Sequence, residues 1–267
     1  MGPQRIPILV YHHVYHDYEP ELREANDGAG IIGEQAFRNQ MEHLRDHGWT
    51  VVSTTQVADW LDNTVELPKR TAALHFDNGW LDTMEVVYPI LQEFGVTATC
   101  FPITDGIEAA SAGSTAVVRT LTEGVVDKPF MTWEQLQQLV ASGWEIGGHT
   151  ATHCKVADKF ESEGEAGILE EVQVSNELLQ EKLGFKPTHF AYPSGSRTDA
   201  TDRLLAQHYR TLRLWHVESP IQWSFTDRHT SPLAIDCQNI DLSVPFQDFV
   251  RLFDEAETDD DDRATQS

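Results

Sequence analysis

The sequence predicts a single α/β domain, a barrel of parallel strands that alternate with helices. Short apolar runs alternate with helical stretches through almost all of its 267 residues, which is typical of consecutive parallel β/α units. The chain contains no internal repeat, and a barrel of this length usually forms one domain. A hydrophobic fraction of 40% is enough for a large core. We therefore predict one domain over residues 1–255, followed by a disordered acidic tail at residues 256–267.

The elements follow from changes in periodicity along the chain. Strands are predicted at residues 7–11, 50–53, 72–76, 98–102, 145–147, 188–192, 211–215 and 233–236. Helices are predicted at residues 34–46, 55–61, 81–93, 133–141, 167–183, 200–208 and 245–254. Thr132 and Gln135 form a capping box at the start of one of these helices. Residues 105–129 show little periodicity and are predicted to be an insertion over one face of the barrel.

Acidic residues dominate the charge of the chain. There are 43 Asp and Glu against 19 Lys and Arg, and the formal net charge is −24. An acidic surface that is poor in Lys suits molar salt, where screening cancels self-repulsion, and we predict a halophilic source. The same charge argues against nucleic acid and anionic membrane surfaces as partners.

The sequence also bears on location and redox state. The N-terminal apolar run is too short for a signal peptide, and no stretch reaches the length of a membrane span, so a cytoplasmic protein is predicted. Cys100, Cys154 and Cys237 are odd in number and widely spaced, which argues against a disulfide framework. Nothing in the sequence indicates an oligomeric state.

Polar residues follow a predicted strand in the segment LHFDNGW, residues 74–80. The strand runs into Asp77 and Asn78, and Gly79 allows the chain to turn away. The loops after the strands of a β/α barrel form its active site, so both polar residues are candidates for catalysis. The alternative is that Asp77 only caps the next helix.

Two further segments lie at predicted strand ends. In GGHTATH, residues 147–153, His149 and His153 are four residues apart, and on one helical turn they would project to the same side and could bind one metal ion. Surface His also occur at this spacing by chance. In FAYPSG, residues 190–195, a tight turn follows an apolar run. A backbone N–H of this turn could donate to a substrate oxyanion, or the turn could be purely structural.

These three segments, in this order, resemble the motifs of the polysaccharide deacetylases, the NodB-homology group or carbohydrate esterase family four. The segments IPILVYHHV, PILQEFGVTATCF and MTWEQLQQLVASGWEIGGHTATH strengthen the resemblance, which covers roughly residues 6–255. The chain is similar in particular to the branch that includes poly-N-acetylglucosamine deacetylases. The resemblance implies a distorted (β/α)7-type barrel that removes N-acetyl groups from an amino-sugar glycan or glycoconjugate.

The resemblance also implies roles for individual residues. Asp77 takes the place of the general base, and His12 takes the place of the general acid. The backbone N–H of Ser194 takes the place of an oxyanion donor. His149 and His153 take the places of two metal ligands, and the expected ion is a divalent metal, first Zn²⁺.

The sequence departs from the family pattern at three positions. Asn78 occupies the place of the third metal ligand, which is normally Asp, and its neutral oxygen should weaken metal binding. Ala191 stands where many relatives have an Arg that orients the base. His75 replaces a common Thr and, by strand alternation, shares a face with Asp77. It could therefore orient the base or assist the metal, or it could pack as a core His.

Several alternatives remain open at this stage. His13 could replace His12 as the general acid if the strand register shifts by one residue, and His216 matches another family pattern for that acid. Trp80, Trp133 and Trp223 could stack on sugar rings or pack in the core. A catalytically impaired carbohydrate-binding protein of the same fold, and an amidohydrolase acting on another non-peptide C–N bond, are the alternative functions.

Overall fold

The computed structural model describes residues 4–24, 30–121, 123–215 and 223–258. Its strands are β1 (Ile8–Tyr11), β2 (His13–Tyr15), β3 (Ile31–Gly33), β4 (Thr50–Val51), β5 (Thr71–Asn78), β6 (Thr99–Pro102), β7 (Val117–Thr120), β8 (Gly124–Asp127), β9 (Glu145–Ile146), β10 (His189–Ala191), β11 (Thr211–Arg213) and β12 (Gln238–Asn239). Its α-helices are α1 (Pro20–Glu24), α2 (Glu34–Asp46), α3 (Thr54–Leu61), α4 (Tyr88–Phe94), α5 (Thr104–Ser111), α6 (Trp133–Ala141), α7 (Val156–Leu183), α8 (Asp199–Leu205) and α9 (Phe246–Glu257). A π-helical turn covers Thr83–Val87, and 3₁₀ turns cover Pro193–Gly195 and Pro232–Ala234.

Seven parallel strands are connected into a ring. One sheet has the strand order β12-β1-β5-β6-β9, and β10 pairs with β11. Two isolated parallel bridges join these parts, because Gly148 pairs with Phe190 and Arg213 pairs with Ile235, just before β12. The pairing therefore returns to the strand where it began. The predicted barrel is confirmed, and it is distorted where single bridges replace full ladders.

The central strand, β5, positions the site. All eight of its residues are buried, as expected for a parallel strand with neighbours on both sides and helices outside. Around it, α2, α6 and α9 contribute Phe37, Leu136 and Phe249 to the main hydrophobic cluster. The predicted capping box of α6 is confirmed, since the side chain of Thr132 accepts from the backbone N–H of Gln135 and the Gln135 side chain accepts from that of Thr132. Within the described ranges, no helix is both long and apolar enough to cross a membrane.

Several predicted boundaries are wrong for identifiable reasons. Residues 233–236 do not form a strand, because Pro232 starts a 3₁₀ turn that Ser231 caps, and the seventh strand is β12. The helix predicted from residue 167 starts at Val156, with a break at Gly164 where φ is 70° and ψ is −164°. The helix predicted at residues 81–93 does start at residue 81, but the π-helical turn Thr83–Val87 interrupts it. Pro89 lacks an N–H, which disturbs the regular hydrogen-bond ladder at that point.

The predicted insertion is more ordered than its sequence suggested. It contains α5, and β7 pairs with β8 as an antiparallel hairpin. Val118 on β7 is buried in the main cluster, whereas Val117 and Val125 on the other face are exposed. α9 continues to Glu257 and buries Ala256, so these two residues, which were assigned to the tail, belong to the last helix. Residues 259–267 lie outside the described part of the chain.

The net charge leads to a prediction about salt. We expect the melting temperature to rise by roughly 10 °C or more between about 0.1 and 2 M KCl, because screening removes repulsion among the acidic side chains. Thermal unfolding followed by circular dichroism measures this, and sucrose at matched osmolality is the control for solute exclusion. A melting temperature that stays flat or falls over that range would contradict the prediction of a halophilic protein.

Candidate active site

The residues predicted at the strand ends meet in one pocket at the carboxyl-terminal end of the barrel. His12 directly follows β1, Asp77 and Asn78 end β5, the two His of the HTATH segment follow β9, and Ser194 follows β10. The pocket is lined by His12, Asp77, Asn78, Thr120, Leu121, His149, His153, Ser194 and Trp215. The enclosed space is about 10 Å³, which is room for about one water molecule or metal ion. The six residues to which the family resemblance assigns a role therefore lie together.

The backbone around this pocket is strained. Asn78, Thr150, His153 and Ser194 have positive φ angles of 72°, 63°, 62° and 54°. Among the described residues, Asn63 is the one further non-glycine residue with positive φ. Such conformations cost about 1–3 kcal/mol each and cluster at functional sites.

The loop that carries His149 and His153 is irregular, so the prediction that both lie on one helical turn is wrong. The left-handed residues of the loop bring the two rings together, with centroids 5.0 Å apart. Glu171 on α7 holds the loop by accepting from Ala151 N at 3.1 Å, Thr152 N at 3.0 Å and Thr152 Oγ1 at 2.8 Å. A buried carboxylate thus replaces the helical hydrogen bonds that the loop lacks.

The two histidines have the tautomer that a metal ligand needs. His149 Nδ1 donates to Ala191 O and His153 Nδ1 donates to Arg119 O, each at 2.8 Å. Because a carbonyl oxygen can only accept, Nδ1 carries the hydrogen and Nε2 keeps its lone pair. Asn78 Oδ1 lies 3.2 Å from His149 Nε2. Such an approach of two acceptor atoms would be stabilised by a shared cation.

The protonation states agree with this arrangement. Burial lowers the pKa of His149 to about 3 and also lowers the pKa of His153, so both rings are neutral at neutral pH. A neutral imidazole binds a metal ion without first losing a proton. Cys154 is a different case, because burial raises the pKa of its thiol to about 12. The thiol therefore stays protonated, and it does not line the pocket.

The donor set fits a divalent ion but brings no negative charge of its own. Within the described ranges, no group of three His, Cys, Asp or Glu side chains could hold a metal ion, because the third donor is the amide of Asn78. Two imidazole nitrogens and one oxygen suit Zn²⁺ or a related ion and leave positions for water and substrate. The neutral oxygen should make binding weaker than a carboxylate would.

Arg213 is the partner of Asp77. Its Nη2 donates to both carboxylate oxygens of Asp77 at 2.6 Å, and both side chains are 2% exposed. Arg213 lies on β11, across the barrel from β5. Position 191 on β10 has Ala in place of the expected Arg, and Arg213 supplies the positive charge instead. No motif or spacing in the sequence marks Arg213 as a site residue.

The ion pair keeps Asp77 charged in a buried place. Burial alone would raise the pKa of this carboxyl, but Arg213, with smaller contributions from His149 and His12, lowers it to about 2. Asp77 is therefore ionised at neutral pH and can accept a proton. The alternative role as a helix cap is not realised, because Asp77 is the seventh residue of β5 and bonds to Arg213.

His12 lies beside Asp77 at the mouth of the pocket. Its Nε2 is 3.9 Å from Asp77 Oδ2, and its ring meets Trp215 edge-on with centroids 5.9 Å apart. Burial lowers the pKa of His12 to about 4, although the charge of Asp77 opposes this effect. Its buried Nδ1 has no hydrogen-bond partner among the described residues. His12 is thus neutral in the resting pocket and must gain a proton before it can donate one as imidazolium.

The FAYPSG turn places Ser194 in the pocket wall. Ser194 lies in the 3₁₀ turn Pro193–Gly195 with φ 54° and ψ 20°. Gly195 packs against the chain after β11, and a Cβ there would come within 2.0 Å of Trp215 O. Glycine is therefore required at this turn. Its close packing fixes the backbone of Ser194 against the pocket.

The structure separates His12 from the alternatives His13 and His75. His13 lies on β2 and points away from the pocket, where its Nδ1 contacts Asp82 at 2.6 Å. His75 does share the inner face with Asp77, but it lies one layer deeper, and its Nε2 contacts Thr54 Oγ1 at 2.9 Å. Neither His13 nor His75 lines the pocket, so the structure does not support an accessory role for them at the reacting atoms. His216 lies outside the described residues.

Two of the tryptophans proposed to bind sugar belong to the core. Trp80 and Trp133 are buried in the main cluster, and Trp133 Nε1 donates to Glu108 at 2.6 Å. Trp223 is half-buried against the same cluster. The tryptophan that lines the pocket is Trp215, at the end of the strand predicted over residues 211–215.

Comparisons with known proteins identify the family and the fold. The family model described as polysaccharide deacetylase matches residues 64–212. The chain is 21% identical over 199 residues to the polysaccharide deacetylase YxkH of Bacillus subtilis, a match that covers 74% of this chain and 60% of that protein. It is 28% identical over 137 residues to the poly-beta-1,6-N-acetyl-D-glucosamine N-deacetylase of Escherichia coli, with 51% and 20% covered. The chain thus spans less than two thirds of the length of these curated relatives.

Solved structures share the fold. The deacetylase PplD of Streptococcus pyogenes, solved with acetate, matches with a TM-score of 0.77 at 23% identity, over 94% of this chain and 99% of that one. IcaB from Ammonifex degensii matches with a TM-score of 0.73 at 20% identity, over 96% and 99%. At this identity the likeness establishes the architecture.

Proposed function

Because the chain belongs to the polysaccharide deacetylase family, we propose that it hydrolyses N-acetyl groups on the amino sugars of a glycan or glycoconjugate, with a divalent metal ion as cofactor. The observation that carries the proposal is the pocket itself. An ionised Asp77, two neutral imidazoles with free Nε2 atoms and the oxygen of Asn78 converge on a space of about one water molecule. A carbohydrate-binding protein that had lost catalysis would have no need of this arrangement.

Asn78, His149 and His153 would hold the ion. When bound, Zn²⁺ or a related ion would polarise the acetyl carbonyl and lower the pKa of a water molecule. The neutral donors leave the charge of that ion uncompensated by any ligand. We therefore expect the anions that form during hydrolysis to be stabilised more than the neutral substrate is.

Asp77 would act as the general base. It takes a proton from the attacking water as the water oxygen bonds to the acetyl carbon. Arg213 keeps Asp77 ionised and fixes its orientation, since one nitrogen bonds both carboxylate oxygens. The carbonyl oxygen then carries negative charge, and the backbone N–H of Ser194 would donate a hydrogen bond to it.

His12 would complete the reaction by protonating the sugar nitrogen as the C–N bond breaks. Negative charge on the tetrahedral oxyanion would raise the pKa of His12, and Asp77, 3.9 Å away, can supply the proton it has just accepted. The products are acetate and a free amine, so water and proton are both accounted for.

The experiment is a comparison of products. Poly-β-1,6-N-acetylglucosamine oligomers are the first substrate to test, because the E. coli relative is named for that polymer. We expect acetate release at molar KCl in the presence of Zn²⁺, measured together with ammonia. Ammonia in place of acetate from a panel of amides would indicate the other C–N hydrolase. Binding of oligomers without either product, with Zn²⁺ bound, would indicate a carbohydrate-binding protein and would overturn the proposal.

Asn78→Asp tests whether the neutral ligand weakens the site. We expect Zn²⁺ to bind at least about tenfold more tightly, because a charge pair at about 4 Å is worth ~1 kcal/mol even in a water-like dielectric and more in a buried site. Acetate release at limiting Zn²⁺ should rise accordingly. Arg213 already neutralises Asp77, so the new carboxylate would depend on the metal for its own compensation.

The measurement is a Zn²⁺ titration of both proteins at molar KCl, with chelator competition for affinity and acetate for activity. Two adjacent carboxylates also raise one another's pKa. Unchanged or weaker Zn²⁺ affinity in Asn78→Asp would therefore show that the site is adapted to a neutral ligand.

A further inference from the structure

A buried cluster of charges lies beside the pocket, on the residue that follows His12. His13 is 1% exposed, and its Nδ1 lies 2.6 Å from Asp82 Oδ2 while its Nε2 lies 3.3 Å from Glu123 Oε2. Its ring is stacked between Tyr15 and Trp80, with centroids 5.1 and 4.9 Å away. An imidazole with a carboxylate at each nitrogen can satisfy both by carrying two hydrogens.

Two further groups, Lys128 and Tyr15, face His13. Lys128 pairs with Glu123, and its Nζ lies 3.4 Å from His13 Nε2 and 5.5 Å from the Tyr15 ring. Burial alone would lower the pKa of His13, and Lys128 adds to that, but Asp82 and Glu123 outweigh both and raise it. The same contacts lower the pKa of Glu123 to about 2 against the effect of burial. The cluster therefore holds two carboxylates and two cations, while Tyr15 stays neutral because burial raises its pKa.

Glu123 connects this cluster to the hairpin of β7 and β8. It lies in the turn between these strands, and its N–H donates to Thr120 Oγ1 at 3.1 Å. Thr120 and Leu121 line the catalytic pocket, and Leu121 is 55% exposed at its rim. On the same strand, Arg119 O accepts from His153 Nδ1. This end of the hairpin thus lines the pocket and also orients His153, one of the candidate metal ligands.

We propose that protonated His13 is a positioning residue for the reaction, which fastens the tip of the hairpin to the barrel through Glu123 and so holds the Arg119 carbonyl against His153. This inference rests on the proposed function. Asp82 anchors the other side of the ring and also accepts from Val14 N at 3.2 Å. Loss of the His13 proton leaves Glu123 with Lys128 alone, so the tip loosens and His153 loses its fixed orientation.

The contact between protonated His13 and Glu123, which we call the tether, weakens as the pH rises. The pKa of His13 in the folded protein lies above its ordinary value of 6.5. Because this pKa is raised, the stabilisation that protonated His13 gives to the folded state is complete below about pH 6.5. It is lost as the pH rises through the folded-state pKa. His12, the neighbouring titratable group, is neutral throughout this range because its pKa is about 4.

Glu123→Gln tests the tether, since it keeps the shape of the side chain and removes its charge. We expect Zn²⁺ affinity to fall about tenfold, as is usual when the partner that orients a metal-bound His is disturbed. Amide hydrogen exchange of residues 117–127, corrected for intrinsic rates, should become faster near pH 6 and lose its dependence on pH between 6 and 9. For acetate release, kcat/KM should fall and its decline at high pH should flatten.

Glu93→Gln is the matched control, because Glu93 is an exposed carboxylate paired with Arg38 away from the pocket. Zn²⁺ affinity and hairpin exchange equal in the two variants would overturn the tether. So would a lower melting temperature in Glu123→Gln with an unchanged pH profile, which indicates a merely structural role. If the wild type releases no acetate, the proposed function fails, but Zn²⁺ affinity and hairpin exchange still decide whether the tether exists.

Discussion

Asp77→Asn is expected to lower kcat for acetate release by about 10³-fold, within the range of 10²–10⁴ that a general base contributes. Asn can occupy the same volume but cannot accept a proton from water. Since Asp77 is not one of the proposed metal ligands, Zn²⁺ affinity should change much less than kcat. Steady-state kinetics and a Zn²⁺ titration on the same preparation measure both quantities.

Stability provides a second readout of this substitution. Removal of the carboxylate leaves the guanidinium of Arg213 buried without its partner, which should cost about 3–5 kcal/mol in the free energy of unfolding. The double variant Asp77→Asn/Arg213→Met removes both charges and should recover much of that stability without recovering activity. Near-normal kcat in Asp77→Asn would contradict the assignment of the base. Recovery of kcat in the double variant would show that the single variant had lost its fold and not its base.

His153→Ala should have the second large effect. It removes one of two imidazoles, so Zn²⁺ affinity is expected to fall by more than about 100-fold, beyond what loss of an orienting partner causes. Acetate release should become undetectable at Zn²⁺ concentrations that saturate the wild type. Chelator competition and atomic absorption of the purified protein follow the metal directly.

His208→Ala is the control for His153→Ala, because His208 is an exposed His outside the pocket. It should keep wild-type affinity and activity. Retention of tight Zn²⁺ binding by His153→Ala, at the level of this control, would rule out the proposed ligand set.

The sequence predicted the barrel and the pocket because both depend on local patterns. The run of apolar residues that ends at Asp77 identifies β5, and Gly79 after it marks the strand end. His149, His153 and Ser194 were found in the same way, at the ends of other predicted strands. Parallel strands bring such ends together once the barrel closes, so their convergence needed no further information.

Other features could not be predicted because they depend on distant residues. Arg213 is 136 positions from Asp77, and only the closure of the barrel brings β11 opposite β5. The absence of Arg at position 191 was a signal that a cation was missing, but it did not indicate where the replacement lies. Glu171 likewise lies inside a long helix, where its charge is indistinguishable from those of the exposed acidic residues around it.

The local backbone conformation at the site could not be predicted from the sequence either. The spacing of His149 and His153 suggested a helical turn, yet the loop adopts left-handed φ angles and is held by hydrogen bonds to Glu171. The hairpin of β7 and β8 was predicted as irregular, because its alternation covers just four residues in each strand.

The most direct test of the central claim is acetate release by metal-stripped wild-type protein as Zn²⁺ is added back. At molar KCl, with an N-acetylglucosamine oligomer as substrate, we expect no acetate before addition, and then a rate that rises with free Zn²⁺ and saturates as a single binding site fills. Full activity in the stripped protein, or no acetate at any level of Zn²⁺, Co²⁺ or Mn²⁺, would contradict a metal-dependent N-deacetylase.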